Sequence, residues 1–321
     1  MSDTPAPPVV SILIPVYNRE RLIADTIRSA LDQTYLDLEV VVVDNASTDG
    51  TWAVLQRIAA ADARVRIFRN ASNIGPVRNW IECARQARGR LSKILWSDDL
   101  MHPDFLARTL PLLDDPRVGF VYSAARIFED ASAPESGAIN YAHLATGRHD
   151  SATFIRGALL GEPLPYSPGC ALFRTQDLRQ NLWAQIPNGI GSDFSQHAIG
   201  NDFLLFLLTA QAYDQFAVVS EPLSYFRSHA GSISTSSGEG RLILHYDLVR
   251  AFFAQQYLAD GPLRAQLNTV LWQHLRRYDG RPYGLQRIRD FYPQPTSARI
   301  SIGYLLQCRL QRLRAKWQRR A

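Results

Sequence analysis

The sequence predicts an α/β fold, with an open sheet and packed helices over residues 1–125 and a helical extension at the C-terminal end. Two observations predict it. Short β-branched apolar runs, such as residues 9–16, alternate with segments whose apolar residues recur at helical spacing. This alternation is typical of buried parallel strands joined by helices. From about residue 241 onward the apolar spacing is helical only.

The predicted elements follow one another in chain order. We expect strands at residues 9–16, 40–43, 65–68, 94–96, 118–122, 170–174 and 216–220. Helices are expected at residues 22–31, 52–58, 77–84 and 202–210, and from 241 onward. Residues 130–150 show no clear period, which predicts a loop covering a cleft. We therefore place one domain at 1–235, divided into halves at 1–125 and 126–235, and a helical extension at 236–321.

Composition and charge exclude several classes of protein. The longest apolar run, near residues 203–208, is too short to cross a membrane. Three scattered cysteines form no CxxC pair, and residues 1–8 do not resemble a secretory signal, so we expect a cytoplasmic protein. The net charge of +5 is concentrated in residues 299–321, which hold seven basic residues and no acid. This distribution argues against a nucleic-acid surface and indicates a local acidic or anionic partner.

Polar residues follow the predicted strands where each strand ends. Tyr17 and Asn18 follow the first strand, Asp44 and Asn45 end the second, and the Asp98–Asp99 pair follows the fourth. Ligands of open α/β sheets bind at the carboxyl ends of the strands. Carboxylates gathered there repel one another unless a cation lies among them, so we expect a divalent metal, Mg²⁺ or Mn²⁺.

Each of these residues also has an ordinary structural interpretation. Asp98 and Asp99 could form an exposed acidic turn, and Asp44 could start an Asx turn as readily as it could accept a hydrogen bond from a nucleobase. Arg78, one turn into a helix that begins after Gly75, could meet an anionic group or belong to an ordinary capped helix. The sequence contains neither GxGxxG nor GxxxxGK[ST], which removes the main support for a dehydrogenase or a P-loop enzyme.

Four motifs together resemble the family-2 glycosyltransferases of the GT-A fold. They are SILIPVYN at residues 11–18, VVDNASTDGT at 42–51, NIG at 73–75 and SDD at 97–99. The resemblance is strong over residues 9–125, weaker to about 235 and absent beyond. It implies a GT-A-type open mixed sheet with a Rossmann-like N-terminal nucleotide-binding half. It also implies inverting transfer of a sugar from a nucleotide-diphosphate donor.

The resemblance assigns roles to residues of the first half. Asp44 would hold the base, and Pro15, Tyr17 and Asn18 would line the nucleotide pocket together with Asn45 and Arg78. Asp98 would contact the ribose or the metal. Asp99 would bind the metal.

The second half would supply the general base and the last metal ligand. Gly200-Asn201-Asp202 resembles the helix start that carries the family's catalytic carboxylate, so Asp202 is the expected base, with Asp193 as a nearby competitor. The family often has Glu-Asp where this chain has Asn201-Asp202. The segment at 225–234 resembles one whose histidine completes the metal site, which makes His229 the third ligand. An imidazole ligand favours Mn²⁺ over Mg²⁺.

The expected partners are a nucleotide-sugar donor and a glycan or lipid-linked glycan acceptor, in synthesis of a cell-surface polysaccharide or glycolipid. The basic tail at 299–321, with apolar residues among its arginines, could lie on an anionic membrane as an amphipathic helix or stay solvated. Two alternatives remain open: a nucleotidyltransferase, and a catalytically silent sugar-nucleotide or glycan-binding protein.

Overall fold

The computed structural model describes residues 8–129, 133–229, 231 and 237–318. They fall into two compact units. The first comprises Met1–Ile155, Pro163–Gln185 and Asp193–Ser236, and the second comprises Arg156–Glu162, Ile186–Ser192 and Ser237–Ala321.

The first unit is built on one mixed sheet. Its strands are β1 (Val10–Val16), β2 (Leu38–Asp44), β3 (Val65–Arg69), β4 (Leu91–Ile94), β5 (Leu100–Met101), β6 (Val118–Phe128), β7 (Ala138–Asn140), β8 (Gly147–Asp150), β9 (Ala171–Arg174) and β10 (Gln215–Arg227). The spatial order is β3-β2-β1-β4-β9-β6-β10-β5, with β7 beside β6 and β8 beside β10. β1 to β4 pair in parallel, whereas β9 runs antiparallel between β4 and β6. The sheet is therefore mixed.

Some helices of the chain connect these strands, and others form most of the second unit. In the first part of the chain they are α1 (Ile23–Leu31), α2 (Thr51–Ala61), α3 (Pro76–Gln86), α4 (Phe105–Thr109), α5 (Ser151–Leu160), α6 (Thr175–Asn181), α7 (Phe194–His197) and α8 (Asn201–Ala212). The second unit is dominated by α9 (Glu239–Tyr257), α10 (Pro262–Arg277) and α11 (Ile302–Gln318). Short 3-10 turns lie at Leu110–Leu113, Pro134–Ser136, Pro168–Cys170, Arg281–Tyr283 and Ile288–Phe291.

The N-terminal strands are buried on both faces. Ile12 and Ile14 of β1 join one core cluster with Ile23 and Ile27 of α1. Leu13, which points to the opposite face because side chains alternate along a strand, is also 0% exposed, and α3 packs against β1 and β2. This double burial explains why the strands are continuous apolar runs.

The structure differs from the predicted elements at several places, and β5 and the helices α4 to α7 were not predicted. β4 covers Leu91–Ile94 rather than 94–96, because it contains two fully buried polar residues, Ser92 and Lys93, that a hydrophobicity pattern does not assign to a core strand. β6 and β10 are longer than predicted, and the register of β10 shifts around Pro222. The predicted loop at 130–150 contains the short strands β7 and β8, while residues 130–132 lie outside the described part.

Within the described residues, none of the helices is both long and apolar enough to cross a membrane.

Candidate active site

The loops that follow β1 and β2 are joined to each other by hydrogen bonds. The backbone N of Asn18 donates to Ser47 Oγ at 2.9 Å, and the backbone N of Thr48 donates to Asn18 Oδ1 at 2.8 Å. Asn18 and Ala46 both have left-handed backbones, with φ of 52° and 60°. Non-glycine residues held in this region are characteristic of functional loops, because the surrounding contacts must offset the strain.

Asp44 forms the Asx turn that its position suggested, and its contact with a nucleobase stays a prediction. Its carboxylate is 0% exposed, and Oδ1 accepts the backbone N–H of Ser47 at 3.1 Å, as in an Asx turn. Oδ2 lies 3.0 Å from Arg69 Nε but, in the described part of the chain, receives no hydrogen bond of good geometry. The Arg69 guanidinium also lies over the Trp52 ring, 5.3 Å from its centroid. A nucleobase that reaches Asp44 would therefore compete with Arg69.

The other donor-side residues differ in how exposed their side chains are. Tyr17 is 40% exposed, so its ring is accessible at the end of β1, whereas Pro15 is buried within the strand. The Asn45 side chain accepts from Asn70 and from the backbone N of Ile74, both at 3.0 Å. It also donates to Asn73 at 2.9 Å. Asn45 thus holds the 70–75 loop in place, and direct contact of its amide with a nucleotide stays a prediction.

Arg78 lies in the first turn of α3, after Gly75 with its left-handed φ of 85°. Its Nη1 donates to Ser195 Oγ at 2.9 Å. Ser195 belongs to α7, so Arg78 connects the donor half to the segment that precedes Asp202. Its contact with an anionic group stays a prediction.

Residues at the ends of two strands, β1 and β10, converge on the Asp98–Asp99 pair. His229 Nε2 lies 2.9 Å from Asp98 Oδ2, and Arg19 Nη2 lies 3.4 Å from the same oxygen. Arg227, at the end of β10, donates from its backbone N to Asp99 Oδ1 at 2.8 Å and from Nε to the carbonyl of Asp98 at 2.8 Å. The pair is thus surrounded by cationic or polar hydrogen-bond donors from the ends of β1 and β10.

The electrostatics of Asp99 fit a cation at this place. Burial, and secondly the neighbouring Asp98 carboxylate, raise the pKa of Asp99 well above its ordinary value. A buried carboxyl group, a half-buried one and an imidazole form a donor set suited to Mn²⁺. In the residues that the structure describes, however, no three His, Cys, Asp or Glu side chains are already arranged as a metal site. The predicted set of Asp98, Asp99 and His229 stays a prediction.

Asp202 and Asp193 differ in their surroundings. Asp202 lies in the first turn of α8, 9% exposed, and its Oδ1 accepts the backbone N–H groups of Gly200 at 3.1 Å and Phe203 at 2.8 Å. Asp193 caps α7 by accepting from the N–H of Ser195 at 3.0 Å and its hydroxyl at 2.7 Å. These bonds, the side-chain hydroxyl foremost, lower the pKa of Asp193 below its ordinary value, which weakens Asp193 as a base.

A short series of contacts connects the aspartate pair with the Asp202 helix. Trp96, two residues before Asp98, donates from Nε1 to Ser167 Oγ at 2.8 Å. The next residue back, Tyr166, packs edge-to-face on Phe203, with centroids 4.7 Å apart. This series of contacts therefore connects the element that carries the expected metal ligands with the helix that carries the expected base, within one unit.

Sequence reasoning missed several residues of this region. Arg19 follows Asn18 directly and could have been found from its place at a strand end. Lys93 lies in a strand that was not predicted at that place, so its burial was not visible in the sequence. Arg69, Trp96 and Ser167 carry no such signal, because only the fold brings them to the site.

Comparison with known proteins identifies the family. Residues 11–182 match the family Glycosyl transferase family 2. This is more than half of the chain, so the protein belongs to that family, as predicted.

One relative is the UDP-Glc:alpha-D-GlcNAc-diphosphoundecaprenol beta-1,3-glucosyltransferase WfaP of Escherichia coli. It is 34% identical over 143 residues, which cover 41% of this chain and 54% of WfaP. The chain spans about half the length, or less, of the curated relatives it matches.

Two solved structures share the fold. Staphylococcus aureus TarS, in complex with UDP-GlcNAc, has a TM-score of 0.60 at 18% identity over 84% of this chain and 72% of that one. The mannosyltransferase PcManGT of Pyrobaculum calidifontis, in complex with GDP-Man and Mn²⁺, has a TM-score of 0.51 at 21% identity, with the same coverages. The predicted GT-A-type open mixed sheet is confirmed.

Proposed function

We propose that the protein is an inverting glycosyltransferase that moves a sugar from a nucleotide-diphosphate sugar to an acceptor hydroxyl. The observation that carries this proposal is the convergence of Asp98, Asp99, Arg227 and His229 at the sheet edge, connected through Trp96 and Tyr166 to the helix of Asp202. Family membership supports it.

The donor diphosphate would bind beside the aspartate pair. Asp99, Asp98 and His229 would hold a divalent ion there, with Mn²⁺ favoured by the imidazole, and the ion would neutralise charge on the departing diphosphate. The guanidinium groups of Arg19 and Arg227 add positive charge around Asp98. Pro15, Tyr17 and Asn18 would line the nucleoside pocket, with Asp44 facing the base.

Asp202 would act as the general base. Inversion needs a single displacement, so one carboxylate suffices to accept the proton of the attacking hydroxyl. Oδ1 is held by two backbone N–H groups, which orients the carboxylate at the start of α8. The nucleoside diphosphate would then leave, and the negative charge on it would be neutralised by the positive charges of the donor side.

The acceptor class follows from the relatives by analogy. WfaP is named for a diphosphoundecaprenol-linked acceptor. A lipid-linked or cell-surface glycan acceptor is therefore our proposal for this chain.

A ligand-binding panel tests the proposed donor site. We expect one of UDP, GDP and dTDP to raise the melting temperature in the presence of Mn²⁺, because a ligand that binds only the native state stabilises it, and we expect CMP, which lacks a diphosphate, not to do so. The measurement is thermal denaturation with each nucleotide, with and without Mn²⁺. Absence of a shift with every nucleotide would contradict the proposal and favour a silent glycan-binding protein.

We also propose that α11 contacts an anionic membrane. Four apolar side chains spaced four, four and three residues apart lie along it, and each is more than half exposed: Ile302, Leu306, Leu310 and Leu313. The segment 299–321 carries seven basic residues and no acid. Residues 319–321, and the side chains at 312 and 314–318, lie outside the described part. An apolar stripe within a basic segment suits the surface of an anionic bilayer.

Flotation with vesicles tests this contact. We expect the protein to float with vesicles of phosphatidylcholine and phosphatidylglycerol, and the Leu306→Ser, Leu310→Ser double variant to stay at the bottom of the gradient, because it loses two stripe side chains. Leu36→Ser, at another exposed leucine, is the matched control and should float like the wild type. The proposal would be contradicted if the double variant floated as well as the wild type. It would also be contradicted if the wild type formed a dimer and the double variant did not.

A further inference from the structure

Arg19 is a cation that is held loosely beside the aspartate pair. Its Nη2 lies 3.4 Å from Asp98 Oδ2, which is longer than the about 2.7–2.9 Å of a good charge-assisted hydrogen bond. Its Nη1 donates to the carbonyl of the preceding residue, Asn18, at 3.2 Å. Within the part of the chain that the structure describes, Arg19 Nε is buried and has no acceptor. The guanidinium is therefore poorly satisfied where it lies.

The backbone of Arg19 is, in contrast, fixed. Its N–H donates to Thr51 Oγ1 at 2.8 Å, at the start of α2. The preceding residue, Asn18, has a left-handed backbone and is bonded to Ser47 Oγ through its own N–H. The long side chain of Arg19 thus starts from a fixed point at the end of β1, while its charged end can move between acceptors near that point.

The second guanidinium of the site is held differently. Arg227 donates from Nε to the carbonyl of Asp98 at 2.8 Å and from its backbone N to Asp99 Oδ1 at 2.8 Å. Its guanidinium carbon also lies 4.9 Å from the centroid of the Phe128 ring. Its Nη2 is buried without an acceptor among the described residues, but the other contacts fix the group and none of them uses the Asp98 carboxylate. Arg19 is therefore the arginine whose position depends on the charge of Asp98.

A divalent ion that binds Asp98 has to compete with Arg19. His229 Nε2, at 2.9 Å, and Arg19 Nη2, at 3.4 Å, approach the same oxygen, Asp98 Oδ2. A small divalent ion binds a carboxylate oxygen at about 2 Å, so an ion on Oδ2 would lie no more than about 5.5 Å from Arg19 Nη2. Two cations this close repel each other, whereas an anion bound to the same ion would attract the guanidinium.

We propose that Arg19 occupies the cation position at Asp98 in the absence of a divalent ion, and moves to the donor diphosphate when an ion takes that position. The inference rests on the proposed donor site. It makes Arg19 a positioning residue with two alternative partners, the Asp98 carboxylate and the phosphate oxygens. A guanidinium matches the geometry of phosphate oxygens, and its Nε could gain an acceptor by leaving Asp98. Through this exchange, Arg19 couples the binding of the ion to the binding of the nucleotide.

Two affinities measured on Arg19→Gln test the exchange at pH 7. Binding of Mn²⁺ alone is followed through the free ion by electron paramagnetic resonance. Binding of UDP, GDP and dTDP is followed by calorimetry in saturating Mn²⁺. We expect the variant to bind Mn²⁺ alone about five- to tenfold more tightly, because a competing cation is removed. It should bind the preferred nucleoside diphosphate about tenfold more weakly, because a charged contact is lost.

Two further variants serve as controls. Arg19→Lys keeps the positive charge but not the planar group, so it should bind Mn²⁺ within about twofold of the wild type and lose less nucleotide affinity than Arg19→Gln. Arg21→Gln removes the same charge from an exposed residue two positions away and should change neither affinity. Thermal denaturation without ligands shows whether each variant is folded. A purely structural role of Arg19 would not shift the two affinities in opposite directions.

The outcomes are distinguishable. Unchanged or weaker Mn²⁺ binding by folded Arg19→Gln would overturn the exchange, as would unchanged nucleotide affinity. Equal shifts in Arg21→Gln would show a general effect of charge and would overturn it too. Failure of both Arg19 variants to fold would assign Arg19 a structural role and overturn it. A wild type that binds neither Mn²⁺ nor any of the three nucleotides would overturn the proposed donor site and this inference together.

Discussion

Replacement of Asp202 by asparagine is expected to lower kcat about 10³-fold, the usual contribution of a general base. Nucleotide binding should be unchanged, because Asp202 lies on the acceptor side. The fold should also be kept, since an asparagine Oδ1 can accept the same N–H groups of Gly200 and Phe203. The measurement is the rate of nucleoside-diphosphate release from the donor sugar, together with nucleotide affinity.

Asp193→Asn is the matched control. Its carboxylate caps α7 through Ser195, and asparagine is nearly as good a cap as aspartate. We expect kcat to change less than about threefold and thermal stability to change little. If Asp193→Asn lost most of its kcat while Asp202→Asn kept full activity, Asp193 and not Asp202 would be the general base.

Replacement of Asp99 by asparagine is expected to abolish Mn²⁺-dependent nucleotide binding and to lower activity at least about 10³-fold, since the charge that would hold the metal is lost. The metal-free protein should melt about 2–5 °C higher, because a buried carboxyl group that is costly to ionise beside Asp98 is replaced by a neutral amide. Asparagine can still accept the backbone N–H of Arg227. Thermal denaturation with and without Mn²⁺ and nucleotide measures both effects.

Asp114→Asn is the control for the loss of one negative charge. The Asp114 side chain is 70% exposed and belongs to a surface pair with Arg90, so neither melting temperature nor Mn²⁺ response should change. A Mn²⁺-dependent nucleotide shift that survives in Asp99→Asn would contradict the assignment of Asp99 as a metal ligand.

The sequence was sufficient to predict the regular part of the fold. β1 and β2 are fully buried strands and β3 is a half-buried one, and their apolar runs and the helical spacing between them are visible in the sequence. The polar residues after these strands were equally visible, because the carboxyl ends of parallel strands meet at one edge. The helix at Asp202 was also predicted, although its N-terminal bound lies one residue earlier.

The rest depends on contacts between distant segments. β4 was misplaced because Ser92 and Lys93 find partners at Thr175 and Gly169, more than 70 residues away. The strands β7 and β8 form by pairing with β6 and β10, and their own residues carry little strand signal.

The roles of single site residues were also beyond the sequence. Asn45 has its amide engaged by the 70–75 loop, and Asp44 is paired with Arg69. Neither arrangement can be predicted from the local sequence pattern.

A crystal structure of the protein with Mn²⁺ and the nucleoside diphosphate that stabilises it most would test the central claim most directly. We expect one anomalous manganese peak coordinated by Asp99 and the diphosphate, with the nucleoside beside Tyr17 and Asn18. Manganese or nucleotide bound away from the Asp98–Asp99 turn would contradict the account.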